Sequence, residues 1–246
     1  MTPTHHTPAC LGACKSNCTC EWISIPSSDP RFKLGHYLLA STSRYRRELL
    51  ARLGLPFTTI SPDFDETPVS GESAEDLAKR LAIGKAESVA AGMAAPAATE
   101  AAVTADSSPQ QPIIIGSDQV AACGERLLGK PGDVYTAIEQ LLSMSGQAVT
   151  FHTAVHLLSV SRGKPDHPAA SFTAVDQTTA VLRNLSRDEI ERYVDQEPAL
   201  DCAGSFKVEG LGISLFSAVN TSDPTGLIGL PLIATCRGLR ELGVTL

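Results

Sequence analysis

An α/β fold is what this sequence predicts, and three segments predict it. Residues 38–50 run from an apolar strand through a small-hydroxyl turn into a helix that opens with Arg44, Tyr45, Arg46 and Arg47. Ile113, Ile114 and Ile115, followed by Gly116, form a continuous apolar run, the pattern of a central strand buried on both faces. Residues 147–158 and 174–182 read as long strands joined by a polar loop around 162–169. From His36 onward, strand-type and helix-type segments alternate.

In chain order, residues 1–33 lack periodicity and carry Cys10, Cys14, Cys18 and Cys20 with His5 and His6. They are expected to be a disordered extension, with residues 34–246 as the folded domain. Four cysteines and two histidines suit zinc, but the C-x3-C-x3-C-x-C spacing lacks the paired C-x2-C knuckles of zinc sites. Residues 36–40 read as a buried strand and 45–53 as a helix ended by Gly54. A short strand at Phe57–Ile60 leads into an acidic turn over 61–68. Ser73 caps a helix reaching about Ala91, with Leu77, Leu81 and Ala82 at helical spacing. Residues 92–111, rich in Ala, Pro, Ser and Gln, are expected to be a surface insertion. The apolar strand at 113–116 is expected to stop at Ser117-Asp118-Gln119. Gly124-Glu125 then reads as a hairpin turn, and Val134–Met144 as a helix after Gly129-Lys130-Pro131. Ser186-Arg187-Asp188-Glu189 has the capping-box form and opens a helix toward Gln196. A strand near 213–216 and a helix over 232–242 complete the chain.

The 246 residues suffice for one substantial core, and a net charge of -7 argues against general nucleic-acid binding. No apolar run approaches the roughly 20 residues that span a bilayer, and no signal or transit pattern is visible. A reducing, cytoplasmic setting is therefore expected, with no membrane partner. Cys123, Cys202 and Cys236 lie among apolar residues and are expected to act as small buried hydrophobes.

Several residues offer chemistry. The helix opening at 44–47 places cationic side chains beside unpaired backbone N–H groups, which suits a phosphate or carboxylate. It also fits an ordinary connection with a solvated basic face. Asp118, after a buried strand, suits a general base or a metal ligand, or simply a turn. Lys130 sits on a stiff turn and Lys85 on the polar side of its helix, so either can hold phosphate or lie on the surface. Asp63, Asp65 and Glu66 offer the oxygen ligands that Mg²⁺ or Mn²⁺ prefers. There is no phosphate-loop sequence, no dinucleotide fingerprint and no nucleophile elbow.

Taken in order, Leu39-Ala40-Ser41-Thr42-Ser43 with Arg46, Asp65-Glu66-Thr67, Lys85-Ala86, Gly116-Ser117-Asp118-Gln119-Val120, Gly129-Lys130-Pro131 and Ser145-Gly146 resemble the Maf family of nucleoside-triphosphate pyrophosphatases. The resemblance implies an elongated mixed-sheet α/β fold with a cleft between two lobes, often a homodimer. It also implies cleavage of a nucleoside triphosphate between its α- and β-phosphates with a divalent metal. Residues 200–213, Asp223-Pro224-Thr225 and 227–232 resemble the branch that acts on 7-methylguanosine triphosphate. Family positions that choose the nucleotide fall on Tyr45, Gln119 and Glu209. Carried over residue by residue, Asp118 is the expected proton acceptor, with Arg46, Lys85 and Lys130 offsetting phosphate charge. Ser41 is expected to contact the triphosphate, and Glu66 with Asp118 to hold Mg²⁺ or Mn²⁺. Methylation at N7 makes guanine cationic, so an aromatic face at Tyr45 attracts it and a carboxylate at Glu209 offsets its charge. The dTTP- and UTP-specific relatives have arginine where this chain has Tyr45, and an arginine there would repel such a base. The alternatives are that pyrimidine chemistry, or a nucleotide-binding regulator of cell division. Arg44 stands where most family members have proline, and neither the cysteine-rich leader nor the 92–111 insertion belongs to the family pattern.

Overall fold

Residues 37–94, 112–160 and 170–246 are described by a computed structural model of the chain. The expectations for the leader, for residues 95–111 and for the loop at 162–169 lie outside these residues. Seven strands form one mixed sheet in the order β2-β1-β3-β5-β6-β7, with β4 added beside β3. These are β1 (Tyr37–Ala40), β2 (Phe57–Ile60), β3 (Ile113–Cys123), β4 (Arg126–Leu128), β5 (Ala148–Ser159), β6 (Ser171–Leu182) and β7 (Phe216–Asn220). Five α-helices are described: α1 (Arg44–Ala51), α2 (Ala74–Ala94), α3 (Val134–Met144), α4 (Arg187–Gln196) and α5 (Leu232–Glu241).

β2, β1 and β3 run parallel, so each connection between them must cross back, and α1 and α2 make those crossings. The remaining pairings are antiparallel. β5 pairs with β3 from Ile113 to Ala122, occupying one whole edge. On the other edge β1 reaches only from Ile113 to Gly116, and β4 resumes only at Ala121. Residues 117–120 are thus left without a strand neighbour on that side, and this gap positions the site.

One face of the sheet is covered by α2, whose Leu77, Ala78, Leu81, Ala82, Ala86 and Val89 pack on Ile114, Val120 and Ala154. Gly116 lets this helix come close, because a Cβ there would lie 2.1 Å from the carbonyl oxygen of Ala82. The opposite face carries two separate cores. Leu49 and Leu50 of α1 and Leu239 of α5 cover Leu39, Ile113 and Ile115, while Leu141 and Met144 of α3 and Ile190 of α4 cover Phe151 and Leu182. Each such fully buried side chain is worth about 1.5–3 kcal/mol over an exposed one. A cleft opens between the two cores.

Most elements match the expected ones, including Phe57–Ile60, Val134–Met144 and the Ser186 capping box with both of its hydrogen bonds. Three differ. β3 does not stop at Ser117 but continues to Cys123, because β5 keeps pairing with it. A polar triplet after an apolar run has turn-like composition, yet here those residues line the gap. Residues expected as a strand near 213–216 form a tight 3-10 turn at Leu211–Leu215, and the strand follows as β7. Gly212 packs against the backbone of Lys207 there, and its N–H donates to the Glu197 carboxylate at 3.1 Å, so the chain turns before it joins the sheet. Finally, α2 runs on through Gly92, Met93 and Ala94, three residues into the expected insertion.

Candidate active site

Within the gap, successive residues of β3 point to opposite faces of the sheet. Asp118 turns toward α2, where the Lys85 ammonium donates to its Oδ1 at 2.5 Å and contacts Glu66 Oε1 at 2.8 Å. The guanidinium of Arg46 lies 3.6 Å from the same Oδ1. Asp118 and Lys85 are only 7% and 4% exposed, whereas the Glu66 side chain is 58% exposed. The result is a nearly buried carboxylate flanked by two cations, with a second carboxylate reaching in from the 61–70 loop. That loop is seated by Phe64, whose ring occupies the space above Gly84 that a side chain would fill.

Arg46 is aimed by three contacts. Ser43 caps α1 by accepting from the Arg46 N–H, which fixes the first turn. The Arg46 Nε then donates to the Gly229 carbonyl at 2.9 Å, and Nη1 approaches Ser41 Oγ at 3.4 Å. Gly229 belongs to a loop held by Asp223, whose carboxylate accepts from Thr225 N and Oγ1 and from Ile233 N at the start of α5. Gly229 has φ 127°, a conformation that favours glycine, and this turns its carbonyl toward both Arg46 and Ser117 Oγ.

Gln119 points the other way. Its Nε2 donates to Thr153 Oγ1 and to the carbonyls of Gly226 and Leu227, at 2.9–3.1 Å. The amide nitrogen is therefore engaged by the protein, and any contact with a base falls to Oε1.

A cleft of about 490 Å³ connects these groups. The nine residues that the family resemblance assigned to the site, Ser41, Tyr45, Arg46, Glu66, Lys85, Asp118, Gln119, Lys130 and Glu209, all line it. Lys130 and Glu209 are exposed and have no ion-pair partner among the described residues. Away from Asp118, Tyr45 lies beside Asp201 and Cys202, and Lys207 faces the same Asp201. Its hydroxyl accepts from Arg44 Nη2 at 2.6 Å and donates to Asp201 Oδ2 at 3.3 Å. Burial pushes the Tyr45 hydroxyl up to about 12, past the opposing effect of Arg44, so it stays protonated at neutral pH.

The two carboxylates fit a hard divalent cation. Among the described residues their contacts with protein use Asp118 Oδ1 and Glu66 Oε1 alone, which leaves one oxygen of each for a ligand. No group of three or more candidate ligands occurs among the described residues. A site of this kind suits Mg²⁺, which typically takes one or two carboxylates and completes its shell with phosphate oxygens and water. The acidic turn does not act as a cluster. Asp65 accepts from Thr67 N and Oγ1 at 2.9 and 2.6 Å, and of the three acids only Glu66 lines the cleft.

Sequence reasoning overlooked Asp201, Lys207 and the carbonyl of Gly229, it placed Lys85 on the polar side of α2 although that residue is buried against Asp118, and it misread Cys236, which is only half-buried, and Cys202. That thiol is half-buried in the cleft rather than in a core, 3.8 Å from Tyr45 Oη, and burial pushes it up to about 11. The signal for Asp201, Cys202 and Lys207 was their position inside the branch-specific string at 200–213. Arg44, first grouped with a phosphate-binding cluster, instead stacks on Tyr45.

The family model described as Maf-like protein matches residues 36–242. The chain belongs to the Maf family. Its mixed sheet with five helices agrees with that membership. A protein of Xanthomonas oryzae pv. oryzae named 7-methyl-GTP pyrophosphatase is 52% identical over 206 residues, covering 84% of this chain and 96% of its own. Relatives with the same name in Pseudomonas putida and a Polaromonas species are 49% and 46% identical. They cover 84% and 85% of this chain, and 96% and 85% of their own lengths. No described helix is long and apolar enough to cross a membrane.

Proposed function

We propose that this protein hydrolyses 7-methyl-GTP between its α- and β-phosphates, releasing 7-methyl-GMP and pyrophosphate. The observation that carries the reading is one cleft with two chemistries. Asp118 sits with Lys85, Arg46 and Glu66 at one place, and the Tyr45 ring lies beside acidic side chains at another. The names of the relatives at about half identity support the same substrate.

In this mechanism a water oxygen bonds to the α-phosphorus while Asp118 accepts the water's proton. The bond from that phosphorus to the bridging oxygen breaks, and the bridging oxygen leaves with pyrophosphate. Lys85 holds Oδ1 of Asp118, so the roles of proton acceptor and cation ligand both fall to Oδ2. Arg46 and Lys130 offset the charge that develops on the phosphates, and the Ser41 hydroxyl contacts them from the turn. Glu66 and Asp118 would hold Mg²⁺ or Mn²⁺, which when bound neutralises phosphate charge. Tyr45 stacks on the cationic base, Gln119 accepts from its N–H edge through Oε1, and Glu209 offsets its charge. Three free cysteines among the described residues accord with a reducing, cytoplasmic setting for this reaction.

Asp118→Asn keeps the shape of the side chain and removes the proton acceptor. Turnover is expected to fall by about 10²–10⁴-fold with an unchanged circular dichroism spectrum. Hydrolysis in ¹⁸O-water is expected to label 7-methyl-GMP. Undiminished turnover, or label recovered in pyrophosphate, contradicts the mechanism.

A further inference from the structure

The base side of the cleft already holds a planar cation of the protein's own. The Arg44 guanidinium carbon lies 4.7 Å from the centroid of the Tyr45 ring, within the range of a cation–π contact. Its Nη2 donates to the Tyr45 hydroxyl at 2.6 Å and lies 3.9 Å from Asp201 Oδ2. Ring, hydroxyl and carboxylate thus form a receptor for a flat delocalised cation. An N7-methylated guanine is also a flat delocalised cation, so the two compete for the same surface. Arg44 can leave readily, since its side chain is 57% exposed and an exposed pair contributes little.

We infer that Asp201 is a specificity-determining residue that supplies the countercharge for a cationic base stacked on Tyr45, in the place where the structure seats Arg44. The inference rests on the substrate proposed above and adds a second carboxylate to Glu209. Asp201 lines the cleft and keeps a 54% exposed side chain, so its oxygens can be reached by a ligand. Its geometry divides the two oxygens. Lys207 lies 3.9 Å from Oδ1, while Tyr45 and Arg44 share Oδ2. When a base displaces Arg44, Oδ2 is the atom that faces it. The carboxyl is held below the ordinary carboxylate range, as its own backbone N–H, Cys202, Lys207 and Arg44 together outweigh the opposing effect of partial burial.

Asp201 stands on a turn that its neighbours hold in place. Gly204 and Ser205 adopt φ 81° and 64°, and the buried Ser205 hydroxyl donates to Gln140 Oε1 at 2.5 Å. Phe206 next to it is wedged edge-on between Phe151 and Phe216. A neutral isostere at Asp201 can therefore remove charge without moving the turn.

The test uses the full chain and compares 7-methyl-GTP with GTP, which differ in the charge of the base. In Asp201→Asn, the ratio of kcat/KM for 7-methyl-GTP to that for GTP is expected to fall roughly fivefold, the effect of losing one partly screened charge pair. Asp201→Glu is expected to restore part of it. In Arg44→Ala, which removes the resident cation, KM for 7-methyl-GTP is expected to fall. A merely structural role for Asp201 would lower both substrates together and leave the ratio alone. If the wild-type protein prefers 7-methyl-GTP and Asp201→Asn keeps the full ratio, or if KM rises in Arg44→Ala, this inference is overturned while the proposed substrate stands. If the wild-type protein shows no preference, the proposed substrate fails and takes this inference with it.

Discussion

Lys85 is the residue on which the site's electrostatics turn. A nearly buried ammonium between Asp118 and Glu66 is held there by charge-assisted hydrogen bonds, which are roughly twice as strong as neutral ones. Truncating one partner of a buried pair leaves the other uncompensated, yet Arg46 remains 3.6 Å from Asp118. Lys85→Met is therefore expected to cost about 1–3 kcal/mol of stability, less than the loss of an isolated buried pair. Turnover should fall far more than that stability loss explains, which chemical denaturation and steady-state kinetics on one preparation will separate. Ser41, Arg46, Lys85, Asp118 and Lys130 were legible in sequence because each sits in a short contiguous string. The string at 200–213 contains Asp201, but its pairing with Tyr45 was not legible, because it spans 156 residues and exists only once the chain has folded.

At the scale of elements, the site depends on how closely α2 approaches β3. The space at Gly116 is filled by the backbone of α2, so a methyl group must push the helix away from the sheet. Gly116→Ala is expected to destabilise the protein by about 1–3 kcal/mol through overpacking and to lower kcat by separating Lys85 from Asp118. Wild-type kinetics in that variant would show that the helix can give way without disturbing the pair. Gly84→Ala is the matching change on the loop side. It evicts the Phe64 ring, so on the metal role proposed for Glu66 the concentration of Mg²⁺ or Mn²⁺ that gives half-maximal turnover is expected to rise, measurable by titrating either ion against turnover. Periodicity located both elements well. It misplaced the end of β3, because a strand continues where a distant partner pairs with it, and the pairing of β5 is a non-local fact that no window of sequence contains.

Across the whole molecule, two cores on one sheet face leave the cleft between them, and the sheet itself carries two histidines at its centre. Burial lowers the pKa of His156 below its ordinary 6.5, and burial also lowers His152 against a weaker opposing effect of Glu75. The unfolded chain then binds protons near pH 6.5 while the folded one resists them. Between that pH and the lower folded values, the unfolded state holds more protons, so stability falls as the pH falls. The thermal midpoint is expected to drop from about pH 7.5 to about 5.5, with a shallower drop in His156→Gln. An equal drop in that variant would assign the acid sensitivity to other groups. The division into two cores was legible only in part. The segments that form α1, α3, α4 and α5 could be placed along the chain, but which helix covers which end of the sheet follows from topology.

The central claim is that one cleft pairs a water-activating carboxylate with a receptor for a cationic base. Release of pyrophosphate by the purified protein from 7-methyl-GTP, GTP, UTP and dTTP, with Mg²⁺ or Mn²⁺ present, tests it most directly. The account predicts the highest kcat/KM for 7-methyl-GTP, at least about tenfold above GTP, the ratio expected of a base that gains a cation–π contact with Tyr45 and the partly screened countercharges of Glu209 and Asp201. A preference for UTP or dTTP, or equal rates on GTP and 7-methyl-GTP, would contradict it.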